Sequence, residues 1–402
     1  MTVTEQTAAV EASRFQTEPV VTLATAHGMH DTYFSFLPTM LPVLIEKFGL
    51  SNAEAGALAI FYQWPALIQP FVGYLADRAN LRALVIVAPA LSAAMVTLVG
   101  AVPGYGMVAF LLFIAGLSNS GFHAIVPAMI AHYSGRKVGR GMSIFMVGGE
   151  LGFALGPLMV VPVIQAWGMQ SLPLLMPLGL LASTFLFFRL RSASTWRMPV
   201  NPAASGLSLR AGFAAMRPVM LPLVGMFFIN SFLYVHLSTY LTTFLTGEGS
   251  SLMLAGVSFS LFQLAGTLGT LVSGWMGDTF GRRAVLLFSG IATPLFVMLF
   301  LFAGGWWQIP ALAGAGFASY CTAPTLMAMV QENFPTQRAM ANGMYMMINF
   351  LVRSIVIILV GALADVFSLR LIFIASAFGA FLALPFIFML PQPGSRAGQP
   401  FA

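Results

Sequence analysis

Apolar residues run through this chain in blocks of about 20 or more, each long enough as a helix to cross the hydrocarbon of a bilayer. Twelve blocks recur, at approximately 20–46, 53–76, 83–102, 107–132, 141–166, 171–190, 218–244, 252–276, 284–303, 309–332, 342–366 and 369–390. Gly, Pro or charged residues break one block from the next. The pattern predicts an all-α integral membrane protein of twelve transmembrane helices. Connections are short except for 191–217, rich in Pro, Ser and Arg, which parts a first six-helix half (20–190) from a second (218–390). Short polar tails, 1–19 and 391–402, flank them.

The two halves repeat each other. At a shift of 200 residues Ser51, Ala55, Gly56 and Gln63 fall on Ser251, Ala255, Gly256 and Gln263. At 201, Gly73, Asp77 and Arg82 fall on Gly274, Asp278 and Arg283; at 202, Gly141 and Met142 fall on Gly343 and Met344. One slowly drifting offset implies two copies of a six-helix unit. Ser51-Asn52-Ala53-Glu54 reads as a capping box that starts the second helix.

Composition names the solvent. Hydrophobic residues make up 58% of the chain and charged residues 7%, against about 25% charged in a soluble domain. The net charge of +6 does not point to nucleic acid, because the cations sit in short loops between apolar blocks. All Lys and Arg fall in the tails and in one alternating set of loops, except Lys47, Arg370 and the intramembrane Arg353. By the positive-inside rule both ends are cytoplasmic. The single cysteine, Cys321, excludes an intrachain disulfide framework. No phosphate-binding Gly-Lys-Ser/Thr loop, zinc-spaced ligand pair or Gly-x-Ser-x-Gly elbow occurs, so neither cofactor nor metal is expected.

GYLADRANLR at 73–82 and GWMGDTFGRR at 274–283 each follow the second helix of their half. They resemble the signature loop of the major facilitator superfamily, Gly-x-x-x-Asp-Arg-x-Gly-Arg-Arg/Lys, with departures at Asn80, Leu81 and Thr279. Within the first half, His27-x3-Asp31, GFH at 121–123 and SIFMVGGELGFALGPL at 143–158 are similar to the fosmidomycin-resistance group of efflux transporters; Ala124 and Ile125 stand where that group has Pro-Glu. The resemblance implies two pseudo-symmetric six-helix bundles that rock about a mid-membrane site, working as a monomer in a bacterial inner membrane. It also implies that the first, fourth, seventh and tenth helices line the substrate path.

Polar side chains in the apolar blocks are the candidate site. A carboxylate in hydrocarbon costs about 2.5–3.5 kcal/mol, so Asp31 must face something other than lipid. His27, His30 and Asp31, at helical spacings of three and four, share one face. Asp31 and His27 are read as a proton-coupling pair, with helix packing as the alternative. Asn119, His123 and His30 in the first half, and Asn230, His236 and Tyr240 in the second, are candidates for the substrate path; His30 also fits a packing role. Glu150 and Arg353 lie 9 and 10 residues beyond the matched Gly141 and Gly343, about 13–15 Å along a helix. Both facing lipid would cost on the order of 5–7 kcal/mol. Arg353 reads as an anion anchor and Glu150 as a second proton or cation site, or each is satisfied within its own bundle.

Gly148, Gly152 and Gly156, followed by Pro157, suit close helix packing and also look like the antiporter motif of drug/proton exchangers. Pro38 and Pro42 are expected to bend the first helix beyond Asp31. By resemblance, Asp77, Arg78, Arg82, Asp278, Arg282, Arg283 and Glu332 form cytoplasmic gating networks, with turn formation as the alternative. The expected function is secondary active transport: proton-coupled efflux of small, anionic or amphipathic compounds. Proton-coupled uptake of an organic anion is the close rival; an intramembrane enzyme or a receptor is the distant one.

Overall fold

The computed structural model describes residues 15–76, 81–135, 138–191, 209–333 and 338–390. Within them every regular element is helical, and the helices follow one another in twelve stretches. The first stretch is α1 (Thr17–Phe34) and α2 (Phe36–Phe48), the second α3 (Asn52–Gln63) and α4 (Gln69–Ala76) joined by a 3-10 turn. Then come α5 (Arg82–Leu98), α6 (Tyr105–Ser134), α7 (Val138–Trp167) and α8 (Met176–Arg191). The second half opens with α9 (Leu209–Val235) and α10 (Leu241–Gly247), separated by a π-helical turn, His236–Tyr240. It continues with α11 (Leu252–Phe280), α12 (Arg282–Phe302), α13 (Gln308–Tyr320), α14 (Thr322–Asn333), α15 (Arg338–Phe367), α16 (Leu369–Gly379) and α17 (Leu384–Met389). Eight of the described helical stretches are long and apolar enough to cross a membrane; the rest are shorter or interrupted. Trp306 and Trp307, 85% and 68% exposed, suit a membrane interface, where indole is favoured.

Local chemistry starts and stops these helices as the sequence suggests. The Ser51 hydroxyl accepts from the Glu54 N–H (3.1 Å), and Glu54 accepts from the Ser51 N–H (2.9 Å), which closes the capping box. Its repeat partner Ser251 caps α11, accepting from the Leu254 N–H at 3.2 Å. Gly281 takes φ +88 between α11 and α12, a backbone region costly for any residue with a Cβ. Beyond Asp31 the first helix breaks at Ser35, three residues before Pro38, as a missing proline N–H requires.

The repeat persists to atomic detail. A Cβ on Gly116 would stand 2.3 Å from the carbonyl oxygen of Tyr62. Two hundred positions on, a Cβ on Gly316 would stand 2.3 Å from that of Phe262. In each half the fourth helix meets the second backbone to backbone, and only glycine permits it.

The described residues form two compact units, one drawn from Met1–Leu37 and Phe61–Asn201, the other from Pro38–Ile60 and Pro202–Ala402. This departs from a simple division at 191–217. The segment beyond the proline break belongs with the second half, for which it supplies partners. Thr242 donates its hydroxyl to the Pro38 carbonyl, and the Tyr240 hydroxyl donates to the Asn52 carbonyl at 2.8 Å. Asp365, at the end of α15, accepts from the N–H of Asn52 (2.6 Å), the N–H of Ala53 (3.0 Å) and the Asn52 side-chain amide (2.8 Å). A carboxylate from α15 thus caps α3. Gly361 allows the approach: a Cβ there would meet the Ala53 Cα at 2.7 Å.

Candidate functional site

In the first unit α1 is drawn onto α7 by glycine. A Cβ on Gly148 would lie 2.2 Å from the Ala24 carbonyl oxygen, and on Gly152 1.9 Å from that of Gly28. Gly156 would put its Cβ against the Ser35 hydroxyl. The four-residue glycine spacing is therefore a backbone-contact stripe, the packing alternative for these residues. Gly149 serves the site directly, since a Cβ there would collide with the His27 ring at 2.3 Å.

That packing delivers His27 and Asp31 to the side of α6 carrying His123. His27 Nε2 lies 3.0 Å from Asp31 Oδ2 and 3.0 Å from His123 Nε2; His123 Nε2 lies 3.7 Å from the same Asp31 oxygen. The far nitrogens are committed. His27 Nδ1 donates to the Phe145 carbonyl at 2.8 Å and His123 Nδ1 to the Asn119 carbonyl at 3.1 Å. A carbonyl oxygen only accepts, so both Nδ1 atoms carry hydrogen, and both rings turn Nε2 toward a carboxylate oxygen. With both rings neutral the three atoms are all acceptors, and a proton on either Nε2 makes it a donor to the carboxylate. Asp31 Oδ1 is buried with no hydrogen-bond partner. The rings are clamped: His27 stacks on Phe145 at 3.9 Å between centroids. His123 keeps 27% of its side chain exposed and Asp31 15%.

His30 faces α6 as well, its ring 6.0 Å from that of His123. It is buried, stacks on Phe122 at 4.7 Å, and has Nε2 3.2 Å from the Asn119 side-chain oxygen. This satisfies one nitrogen and leaves Nδ1 without a partner. Glu150, half-buried on α7, is near enough to Asp31 for their charges to interact. It makes no ion pair or side-chain hydrogen bond among the described residues.

The second unit holds the opposite charge. Arg353 on α15 lays its guanidinium 4.4 Å over the Tyr234 ring and donates to the Ser238 hydroxyl at 3.1 Å. Its Nε is buried without a partner, and among the described residues no carboxylate pairs with it. Ser238 lies in the π-helical turn, a distortion that no feature of the sequence signals. Tyr320 stands 6.1 Å from Tyr234 and donates to the Gln263 side-chain oxygen at 2.5 Å.

The other candidates are placed as follows. His236 is fully buried, donates Nδ1–H to the Phe232 carbonyl at 2.8 Å and stacks on Phe373 at 4.7 Å. Tyr240 is also fully buried, its hydroxyl spent on Asn52. Both occupy packing positions. Asn230 is half-buried on α9. Arg82 donates to the Leu190 carbonyl at 2.8 Å, and Arg283 to those of Leu390 (2.8 Å) and Phe388 (3.2 Å), so each ties a helix start to the last helix of its own half. Asp278 and Arg282 pair at 2.8 Å. Asp77, Arg78 and the side chain of Glu332 lie outside the described residues.

Comparison with known proteins places this geometry. The sequence model of the Major Facilitator Superfamily matches residues 23–355 and 249–401. The Fosmidomycin resistance protein of Escherichia coli (strain K12) is 24% identical over 371 residues, covering 91% of both chains. The Gentisate transporter of Corynebacterium glutamicum is 23% identical over 310 residues, 74% of this chain and 70% of its own. Among solved structures a mutant of the nucleoside transporter NupG superposes with a TM-score of 0.77 at 15% identity, over 93% of this chain and 100% of that one. The chain belongs to the Major Facilitator Superfamily and is a multi-pass membrane transporter rather than an enzyme.

Proposed function

We propose that the protein exports small anionic or amphipathic compounds by alternating access, in exchange for protons. The carrying observation is the approach of His27 Nε2, His123 Nε2 and one Asp31 carboxylate oxygen to within 3.0–3.7 Å, where neutral rings and the carboxylate repel one another. A proton on one imidazole converts that repulsion into a charge-assisted hydrogen bond to the carboxylate. Release of the proton restores the repulsion, so occupancy is coupled to how the site is held. Asp31 and His27 are the principal proton carriers in this reading. Glu150, a second acid in reach of the same field, is the auxiliary one.

Arg353 supplies a charge of the opposite sign. A cation in a membrane span, without a carboxylate partner among the described residues, favours an anionic cargo, which would accept from its unpartnered Nε. The same feature supports the second reading, uptake of an organic anion; the Corynebacterium relative is named for gentisate. His123 and Asn119 in the first half and Asn230 in the second remain the proposed substrate contacts, with the helix-end arginines as parts of the gates. Loop charges favour both termini on the cytoplasmic side of a bacterial inner membrane.

The test is a panel of anionic and amphipathic substrates in proteoliposomes, for wild type and Asp31→Asn, with and without an imposed pH gradient. The reading expects gradient-driven flux in the wild type only, with substrate leaving the compartment of higher pH against entering protons. Flux along with the proton would establish uptake. Unchanged gradient-driven flux in the variant would remove Asp31 from coupling.

A further inference from the structure

We propose that His27, Asp31 and His123 form a binding site for one transition-metal ion of the zinc class. No spacing motif announces it, because the two histidines stand 96 positions apart on different helices. The three donor atoms lie within 4.8 Å of one another. A circle through points separated by 3.0, 3.0 and 3.7 Å has a radius of about 1.9 Å, against zinc–nitrogen and zinc–oxygen bonds of about 2.0–2.2 Å. A tetrahedral ion at such distances holds its ligand atoms about 3.3–3.4 Å apart, inside the observed span. An ion lying slightly out of the plane of the three atoms meets all of them at bonding distance.

The surroundings are those a metal ligand set needs. Each imidazole presents Nε2 and fixes it by donating Nδ1–H to a backbone carbonyl, Phe145 for His27 and Asn119 for His123, the outer-shell arrangement that orients metal-bound histidine. Phe145 stacked on one ring and the bare Gly149 beside it hold His27 in that pose. Asp31 Oδ1, buried and unpartnered, is available as a second oxygen donor or as acceptor for a bound water. Two imidazoles and one carboxylate select zinc, cobalt, nickel or copper over magnesium and calcium, which prefer all-oxygen sets. Three protein ligands leave a fourth position open, and the partly exposed His123 edge gives access to it. A metal held there occupies the same gap that a coupling proton would, and so blocks transport. The binding itself does not depend on the transport reading.

The experiment uses tag-free, full-length protein in detergent, stripped of metal. Equilibrium dialysis with zinc should give one ion per chain, and cobalt should develop the visible bands of a four-coordinate site. Outer-shell partners alone are worth about 10–100-fold in affinity, so Asp31→Asn or His123→Ala should each weaken binding by more than 100-fold. His132→Ala, which removes a histidine at the far end of α6, should leave it unchanged. X-ray absorption on the zinc-loaded wild type checks the ligands without any variant: two imidazoles and an oxygen donor are expected at about 2.0 Å. Wild-type protein that binds no ion, or whose absorption spectrum shows no imidazole scattering, overturns the proposal. Equal binding by folded Asp31→Asn and His123→Ala overturns it as well. Zinc binding by a protein that, once stripped of metal, shows no gradient-driven flux would instead count against the proton reading alone.

Discussion

The two intramembrane charge sites are opposites in chemistry and in how they are satisfied. In the first half Asp31 is held by side chains from its own unit, and the excess is of acceptors: two Nε2 atoms and a carboxylate share one gap. In the second half Arg353 is held by a ring face and a hydroxyl, and the excess is of donors and positive charge. One site calls for a small cation, the other for an anion. Neither would persist in hydrocarbon without such a counterpart, since burying an unpaired charge costs several kcal/mol. The pair of sites teaches that polarity alone does not tell two buried charges apart; the sign of what surrounds each one does.

The comparison breaks most completely if the frame of the first site is removed. Gly152→Val puts a branched side chain where a Cβ already falls 1.9 Å from the Gly28 oxygen. With backbone on one side nothing can yield cheaply, and α1 must leave α7. A loss of about 3 kcal/mol or more is expected, read as a collapse of thermal stability and of all flux. Stability close to wild type would mean that the α1–α7 contact does not position the site.

A smaller effect sharpens the other side. Arg353→Gln removes a charged donor worth about 1.5–3 kcal/mol, which raises the KM for anionic substrates by about 10- to 100-fold. Uncharged substrates should be carried as before. Arg353→Lys keeps the charge but not the planar stack over Tyr234, and should fall between the two. An equal loss for charged and neutral cargo would show Arg353 to be structural.

The smallest effect concerns a carboxylate that is fully provided for. Asp365 is exposed and accepts from three donors of the α3 start. Asp365→Ala removes a helix cap and should lower stability by about 1 kcal/mol, measured by thermal unfolding, with the pH dependence of flux unchanged. Loss of gradient coupling in that variant would blur the contrast between Asp31 and other carboxylates.

Some of this was legible along the chain and some was not, for physical reasons seen residue by residue. His27 and Asp31 follow from a helical period, and they meet at 3.0 Å. Ser51 and Ser251 cap because the capping chemistry needs only the next three residues. The break at Ser35 follows from Pro38. His236 and Tyr240 were expected along the substrate path and are found packed, because a polar residue in an apolar block has the same spelling whether it faces water or a neighbouring ring. Asp365 carries no such signal: an acid at a helix end looks like a solvated residue until its partner helix, more than 300 positions away, is brought beside it.

Composition and periodicity by themselves determined that lipid is the solvent, that helices recur, that the halves are copies and that charge is concentrated at a few intramembrane places. Those properties are local, or are sums over the whole chain, and burial cost enforces them in any arrangement of the helices. Which faces meet was decided only in three dimensions. The joining of His123 to His27 and Asp31, the assignment of Pro38–Ile60 to the second unit and the seating of Arg353 on Tyr234 and Ser238 depend on contacts between remote residues. A one-dimensional pattern constrains the energy of each helix but not the choice among its neighbours.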